Sequence, residues 1–239
     1  QSPPADTYVI LGTGHAQIKS VFAATRKNFV TPLGTAQTDT AFLDSLEKQF
    51  GGDLCEHEIH HRGEHVIEFQ LIFLQHALPD HDFRIVPILC SYSPEQLADG
   101  VAAEAKEIVA RFGRALRAAI DESDRSVCLI SSADLAHIGF RYGDPRVLDS
   151  ADCERLERED RTMLKTVCAG DPRQFADHLI AEDNRRRICG FPCIHTMLSA
   201  RDLGSGELLQ YGQAAMDERN STVSYASIAY YDKADSESA

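Results

Sequence analysis

Three side chains with metal-ligand chemistry lie in sequence contexts that suggest a site: His15, His65 and Cys189. His15 follows an apolar run and a Gly-x-Gly pair, His65 opens an amphipathic segment, and Cys189 directly precedes a glycine. Two imidazoles and a thiolate are ligands that borderline metals such as Fe(II), Cu and Zn accept. No short metal-binding pattern links the three residues, so their spacing does not by itself predict that they meet.

Two further polar residues, Asp134 and His137, follow a predicted strand at a spacing that suits a site. In open α/β sheets, ligands bind beyond the carboxyl ends of the strands. His15 and Asp134 each come a few residues after a predicted strand, and His137 lies three residues past Asp134. The sequence therefore predicts that these three residues share one edge of a sheet. His65 joins them there if the start of its helix faces the same edge.

Each of these residues also has a plainer interpretation. A lone histidine after a strand is more often a hydrogen-bonding residue than a ligand, and Asp134 followed by His137 is compatible with a helix cap and its first turn. Cys189 is compatible with a small buried apolar residue. His65 lies in a histidine-rich stretch, so any of its four histidines could be a ligand or a surface residue. The members of that stretch are His57, His60, His61 and His65.

Short apolar runs alternate with amphipathic stretches along the chain, which is typical of an α/β fold. Strands are predicted at 7–11, 83–89, 126–131, 207–215 and 222–231. Helices are predicted at 39–50, 65–77, 94–120, 152–168, from 172 onward and at 194–203. No repeat, linker or break in composition interrupts the pattern. We therefore expect a single domain over 1–239 that ends in a polar tail at 232–239.

Composition excludes several classes of function. The net charge of −13 would repel nucleic-acid phosphates, so no nucleic-acid partner is expected. No apolar run approaches the length of a membrane span, so no membrane association is expected. P-loop, Gly-x-Ser-x-Gly and HExxH motifs are missing, which disfavours NTPases, α/β-hydrolases and zincins. The one basic cluster, at 185–187, is interpreted as a solvated loop or helix end.

Cysteine usage bears on the compartment. The chain has seven cysteines, an odd number, and several of them lie inside apolar runs. This pattern favours reduced thiols and a cytoplasmic location over a disulfide framework. No signal peptide is visible at the start. Because residue 1 is Gln rather than Met, we expect that sequence upstream of it exists.

Six segments, taken in order, resemble the Memo family, which includes bacterial and archaeal members called AmmeMemoRadiSam system protein B. The threonine-proline-leucine-glycine segment and the Glu-His-x-x-Glu segment are fairly specific in combination. The family usually has a further His-Ala-Gly-Tyr-like stretch before the first histidine segment, and this chain does not show it. The matching segments are 31–39 (TPLGTAQTD), 64–74 (EHVIEFQLIFL), 85–88 (IVPI), 131–137 (SSADLAH), 189–190 (CG) and 223–227 (VSYAS).

The resemblance implies a three-layer domain like that of the class III extradiol dioxygenases, with a central, mostly parallel or mixed sheet flanked by helices. It implies that His15, His65 and Cys189 are metal ligands, with cysteine where the dioxygenases carry a carboxylate. It also places Asp134 and His137 in the pocket, with His137 as the acid/base histidine. Since a thiolate is softer than a carboxylate, the cysteine shifts metal preference from Fe(II) toward Cu or Zn.

Three functions remain open on the sequence. The first is a redox metalloenzyme with Fe(II) or Cu that acts on a small organic substrate with O2. The second is a non-catalytic binding or scaffold protein that captures a small molecule or peptide in the same pocket. The third is a zinc-dependent hydrolase with Glu64 or His137 as base. The sequence does not specify the substrate, the native metal or the oligomeric state.

Overall fold

The structure is a computed structural model that describes residues 3–15 and 20–231. The predicted tail at 232–239 lies outside the described residues. The strands are β1 (Thr7–Thr13), β2 (Phe22–Ala24), β3 (Phe29–Thr31), β4 (Gly34–Thr38), β5 (Arg84–Cys90), β6 (Val127–Ser132), β7 (His137–Ile138), β8 (Glu207–Ala215) and β9 (Thr222–Ala229). The α-helices are α1 (Thr40–Phe50), α2 (Val66–Ala77), α3 (Ala103–Asp121), α4 (Ser150–Cys168), α5 (Pro172–Ala181) and α6 (Phe191–Ala200).

The central sheet is mixed, with a parallel middle. Its order is β3-β4-β5-β1-β6, in which β1 runs parallel to both β5 and β6, and β4 runs parallel to β5. The strand β2 pairs antiparallel with the last residues of β5, and β3 pairs antiparallel with β4. A second, antiparallel sheet has the order β7-β9-β8. The predicted α/β class with a mostly parallel or mixed sheet is confirmed.

Alternation along β1 explains the three layers. Successive strand side chains point to opposite faces of a sheet. Val9 and Leu11 enter a large core shared with α1, α3, α4, α5 and α6, whereas Tyr8 and Ile10 enter a smaller core shared with α2. All four side chains are buried, so both faces of β1 are covered by helices. Such two-sided burial explains why the strand is an unbroken apolar run in the sequence.

The helical region predicted at 94–120 is two elements rather than one. Ser93 and Pro94 do start a helical turn, closed by a capping box with Gln96, but that 3-10 turn ends at Leu97. Gly100 then adopts a left-handed φ of 81°, and α3 begins only at Ala103. The continuous-helix prediction is therefore wrong over 98–102, because periodicity does not register the turn that glycine permits.

The basic cluster at 185–187 is not a uniformly solvated run. The Arg185 and Arg187 side chains are about half exposed, but Arg186 is only 1% exposed. The Arg186 guanidinium donates to Asp160 and, at 2.7 Å, to Glu182. The solvated interpretation is wrong for Arg186, because long-range carboxylates on α4 and at the end of α5 neutralise it.

None of the helices in the described part of the chain is both long enough and apolar enough to cross a membrane.

Candidate metal centre

The candidate site lies where β1 and β6 end. Since these neighbouring strands are parallel, their carboxyl ends meet at one edge of the sheet. His15 comes two residues after β1, and Asp134 comes two residues after β6. The turn before α6 brings Cys189 to the same edge, where the Thr13 hydroxyl donates to the Cys189 carbonyl at 3.3 Å. The parallel arrangement of β1 and β6 is thus the reason to expect His15, Asp134 and His137 at one edge of the sheet.

Gly12 lets α2 start directly on this edge. A Cβ at Gly12 would lie 2.5 Å from Val66 and 2.9 Å from Ile67, so only glycine accommodates the helix there. The Ser132 hydroxyl, at the end of β6, donates to the Val66 carbonyl at 2.8 Å. The first turn of α2 is therefore anchored to both strands, and its preceding residue, His65, is carried to the same edge.

Gly190 plays the equivalent role for Cys189. A Cβ at Gly190 would lie 2.4 Å from both the Ala133 Cβ and the Asp134 carbonyl oxygen. The Gly190 amide donates to that carbonyl at 3.1 Å. The glycine that follows Cys189 thus allows the cysteine turn to lie directly against the loop after β6.

Asp134, His137 and Cys189 are brought within ligand distance of one another. One potential ligand atom from each of the three lies within 4.8 Å of the other two. The His137 Nε2 is 4.0 Å from the Asp134 carboxylate, and the Cys189 Sγ is 4.0 Å from the Asp134 carbonyl oxygen. Imidazole, carboxylate and thiol together form a donor set suited to Fe, Cu or Zn. The chemistry of the residues at this edge therefore fits a transition metal.

His137 is held in a fixed orientation by the second sheet. It pairs with Val223 in β9, and its backbone amide donates to the Arg186 carbonyl at 2.7 Å. Its Nδ1 lies 3.1 Å from the Leu135 carbonyl oxygen, which can only accept, so Nδ1 carries the proton. The Tyr142 ring packs edge-on against the imidazole, with 5.0 Å between centroids. In neutral His137 the free lone pair is therefore on Nε2, on the Asp134 side.

His15 is clamped by Glu64. The Glu64 carboxylate accepts from the His15 backbone amide at 2.6 Å and from His15 Nδ1 at 2.9 Å. Because a carboxylate accepts from Nδ1–H, the lone pair of neutral His15 is on Nε2. The Glu64 side chain is 5% exposed, whereas that of His15 is 47% exposed. A histidine oriented by a buried carboxylate, with its other nitrogen free, is the usual arrangement of a metal-binding histidine.

His65 lies beside His15. The two rings are nearly parallel, with an interplanar angle of 11° and 5.7 Å between centroids. His65 also meets the Phe69 ring edge-on at 5.3 Å, one turn into α2. The structure thus brings together the two histidines that the sequence predicts as ligands.

Burial of Cys189 opposes its ionisation in the metal-free protein. Desolvation, reinforced by the neighbouring Asp134 and Cys193, raises the pKa of the Cys189 thiol to about 12. Hydrogen bonds with the backbone of Asp134 and of Cys189 itself offset this effect only in part. A bound cation is the group that would stabilise the thiolate here.

The five predicted site residues fall into one pair and one group of three along this edge. His15 stacks on His65, and Cys189 groups with Asp134 and His137. Within the described residues, His15, His65 and Cys189 do not form a set whose ligand atoms all lie within 4.8 Å of one another. The assignment of these three as the metal ligands therefore stays a prediction, as do the roles of Asp134 and His137.

Sequence reasoning missed two supporting residues. Glu64 was considered only as a candidate base, although its position directly before His65 placed it near the site; its bond to His15 spans 49 residues and leaves no local pattern. Tyr142 follows the segment at 131–137 and gave no signal. A second donor group, Glu47, Asp53 and Cys55, lies elsewhere, and there Glu47 already pairs with Arg26.

Comparison with known proteins connects this geometry to a family. The family model described as Memo-like protein matches residues 1–229. A MEMO1 family protein of Aquifex aeolicus is 29% identical over 229 residues, which covers 95% of this chain and 56% of that protein. A MEMO1 family protein of Archaeoglobus fulgidus is 29% identical over 231 residues, covering 95% of this chain and 77% of that protein.

A MEMO1 family protein of Methanosarcina barkeri is 31% identical over 234 residues, covering 95% of this chain and 76% of that protein. The chain thus spans just over half of the Aquifex protein and about three-quarters of the two archaeal proteins. Since the family model covers nearly the whole sequence, the chain belongs to the Memo family.

Proposed function

We propose that the protein binds a transition-metal ion, Fe(II) or Cu with Zn as the alternative, at the edge formed by β1, β6 and the turn before α6. The observation that carries this proposal is the convergence of nitrogen, oxygen and sulfur donors there. Cys189, His137 and Asp134 lie within 4.8 Å of one another, and His15, which Glu64 orients, follows β1 at the same edge of the sheet. When bound, iron or copper would supply Lewis acidity and redox chemistry toward O2 for a small organic substrate.

The resemblance to the Memo family, rather than the distances, selects Cys189, His15 and His65 as the residues that would hold the ion in this proposal. Glu64 keeps the His15 Nδ1 protonated, so Nε2 is the nitrogen available for coordination. This double hydrogen bond also engages both Glu64 oxygens, which makes Glu64 a holder of His15 rather than a free base. The proposal therefore favours a redox metalloenzyme over a hydrolase in which Glu64 activates water.

His137 is the residue suited to move a proton. With Nδ1 bonded to the Leu135 carbonyl, Nε2 accepts a proton from a substrate hydroxyl and can return it later. The Asp134 side chain, 59% exposed and 4.0 Å from that nitrogen, would orient the substrate or the imidazolium that forms. Tyr142 limits rotation of the imidazole.

Metal content of single variants tests the proposal. Protein purified without oxygen should contain about one metal ion per chain, and His15→Ala and Cys189→Ser should lose it. Cys55→Ser, which alters the other donor group, is the matched control and should keep the metal. If His15→Ala and Cys189→Ser both retain stoichiometric metal, the proposal is wrong.

A second variant separates ligand from acid/base residue. His137→Gln should keep the metal. Its rate of O2 consumption, with a catechol as the probe substrate, should fall about 100-fold or more. Loss of metal from His137→Gln and Asp134→Asn, with retention in His15→Ala, would move the ion to the Asp134, His137 and Cys189 group. No O2 consumption by the metal-loaded wild-type protein would favour a binding role over catalysis.

A further inference from the structure

A groove separate from the metal centre lies between α3, α5 and α6. Its volume is about 1030 Å³, at the upper end of the range for small-molecule sites. Apolar side chains from all three helices line it, among them Val109, Ala176 and Leu198. None of the five predicted metal-site residues contributes to it. The groove therefore has the size and the apolar lining that an organic ligand needs.

The groove is locally positive in a strongly acidic protein. It is lined by five of the chain's 24 Lys and Arg residues but by only three of its 37 Asp and Glu residues. This reverses the balance of the whole chain, which carries a net charge of −13. The five cationic residues are Lys106, Arg114, Arg117, Arg173 and Arg201, and the three acidic ones are Asp99, Asp177 and Asp202.

Two of these cations form no close ion pair in the described residues, although Arg173 lowers the pKa of Asp99 and of Asp171 from a longer distance. Lys106 pairs with Asp99, and Arg114 pairs with Glu107. Within residues 3–15 and 20–231, neither Arg117 nor Arg173 has a carboxylate within 4.0 Å. The Arg117 Nε donates to the Ala200 carbonyl at 3.1 Å, which holds the guanidinium against the end of α6. Its terminal NH2 groups are left to bind an anion in bidentate fashion.

His195 adds a polar group to the same groove. The buried Tyr92 hydroxyl lies 3.0 Å from His195 Nδ1, 3.1 Å from the Pro192 carbonyl oxygen and 2.8 Å from the Thr196 hydroxyl. Because Tyr92 engages Nδ1, Nε2 is the ring nitrogen that a ligand would meet, as donor or acceptor according to the tautomer. Burial lowers the pKa of His195 to about 4, so the ring is neutral at physiological pH.

We propose that this groove binds a small amphipathic carboxylate that carries a hydroxyl group. The carboxylate binds Arg117 and Arg173, the apolar body lies along Val109, Ala176 and Leu198, and the hydroxyl forms a hydrogen bond with His195 Nε2. Charge complementarity selects the anion, and the polar nitrogen of His195 selects the hydroxyl group. The site is independent of the metal centre.

Calorimetric titration of the chelator-treated chain tests this proposal, with ω-hydroxydecanoate as the probe. Decanoate lacks the hydroxyl group, and the corresponding terminal diol lacks the carboxylate. The probe should bind about fivefold more tightly than decanoate, as expected for one hydrogen bond, and the diol should bind weakest. Equal binding of all three compounds, or no binding, would overturn the proposal.

Variants test which residue binds each end of the ligand. Arg117→Gln should weaken both acids about tenfold, whereas Arg158→Gln, which removes the same charge from α4, should leave them unchanged. His195→Phe keeps an aromatic ring on Phe191 and should abolish only the preference for the hydroxylated acid. If Arg117→Gln and Arg158→Gln behave alike, or if Cys189→Ser removes binding, the acids bind elsewhere and the groove assignment is wrong.

Discussion

Arg186 and Cys189 lie three residues apart, yet the charged groups around them differ. Arg186 is 1% exposed and bonds to Asp160 and Glu182, while Asp160 also accepts from the Tyr211 hydroxyl at 2.9 Å. Around Cys189, by contrast, burial and the neighbouring Asp134 raise the pKa of the thiol, and the ion contact of Asp134 is a 4.0 Å approach to His137.

The contrast separates a polar cluster that stabilises the fold from one that, in our proposal, binds a metal ion. Buried charges are stable in a protein only when they are paired or bound to a metal. The Arg186 network meets that condition with residues of the chain itself. At the Cys189 edge the raised pKa keeps the thiol neutral and Asp134 is 59% exposed, so a cation would be needed only to stabilise the thiolate form. The following variants test this contrast, in order of decreasing effect.

Removing the buried cation should have the largest effect. Arg186→Met leaves Asp160 and Glu182 without their partner, and we expect a loss of about 3–5 kcal/mol in the free energy of unfolding. Urea denaturation measures this, with the half-exposed Arg185→Met as a control that should cost less than about 1 kcal/mol. An equal loss of unfolding free energy in the two variants would show that the contacts of Arg186 with Asp160 and Glu182 do not stabilise this turn.

Gly190→Ala tests the close packing that brings Cys189 to Asp134. The new Cβ would lie 2.4 Å from the Asp134 carbonyl oxygen, so the two loops must separate. We expect a loss of about 1–3 kcal/mol in unfolding free energy together with weaker metal binding. Gly63→Ala adds its Cβ to open space and should change neither quantity. A fully stable Gly190→Ala variant with intact metal binding would contradict the proposed geometry.

Glu64→Gln tests whether the carboxylate orients His15. Both hydrogen-bonded groups of His15 are donors, and an amide offers one acceptor oxygen where the carboxylate offers two. Metal affinity, measured by zinc titration against a competing chelator, should fall about 10- to 100-fold. The exposed Glu68→Gln on the same helix should retain wild-type affinity. Matching affinities for the two variants would assign Glu64 a purely structural role.

Asp152 provides a further test of charges that are neutralised by residues of the chain itself, with a smaller expected effect. Hydrogen bonding to Arg146 is the main cause that holds the pKa of Asp152 below its ordinary value of 3.8. A lowered pKa means that this contribution to stability is present above that value and is lost as the pH falls through the lowered pKa. Asp152→Asn should cost about 1 kcal/mol at neutral pH, and the gap should close in strong acid. A gap independent of pH in denaturant titrations would refute the ion-pair explanation.

The fold was predictable where local pattern and burial coincide. The apolar run of β1 and the capped amphipathic helix α1, with Asp39 at its start and Gly51 at its end, are encoded locally. The strands β2, β3 and β4 were not predicted, because they span three to five residues each. Such short strands are defined by their pairing in the sheet rather than by their own periodicity.

The same limit applies to the site. Its position after β1 and β6 follows from general α/β geometry, and family resemblance identified the candidate residues. The clamp on His15 by Glu64 and the burial of Arg186 both depend on partners far away in the sequence. Side-chain periodicity does not indicate such contacts. The sequence therefore predicts a solvated cluster at 185–187, although Arg186 is buried and neutralised by carboxylates.

The most direct test of the central claim is an anomalous-scattering map from crystals grown with the native metal and recorded at its absorption edge. The account predicts a peak about 2.3 Å from the Cys189 sulfur and about 2.0–2.1 Å from an imidazole nitrogen of His15. A fully occupied peak at Glu47, Asp53 and Cys55, with none at Cys189, would contradict it.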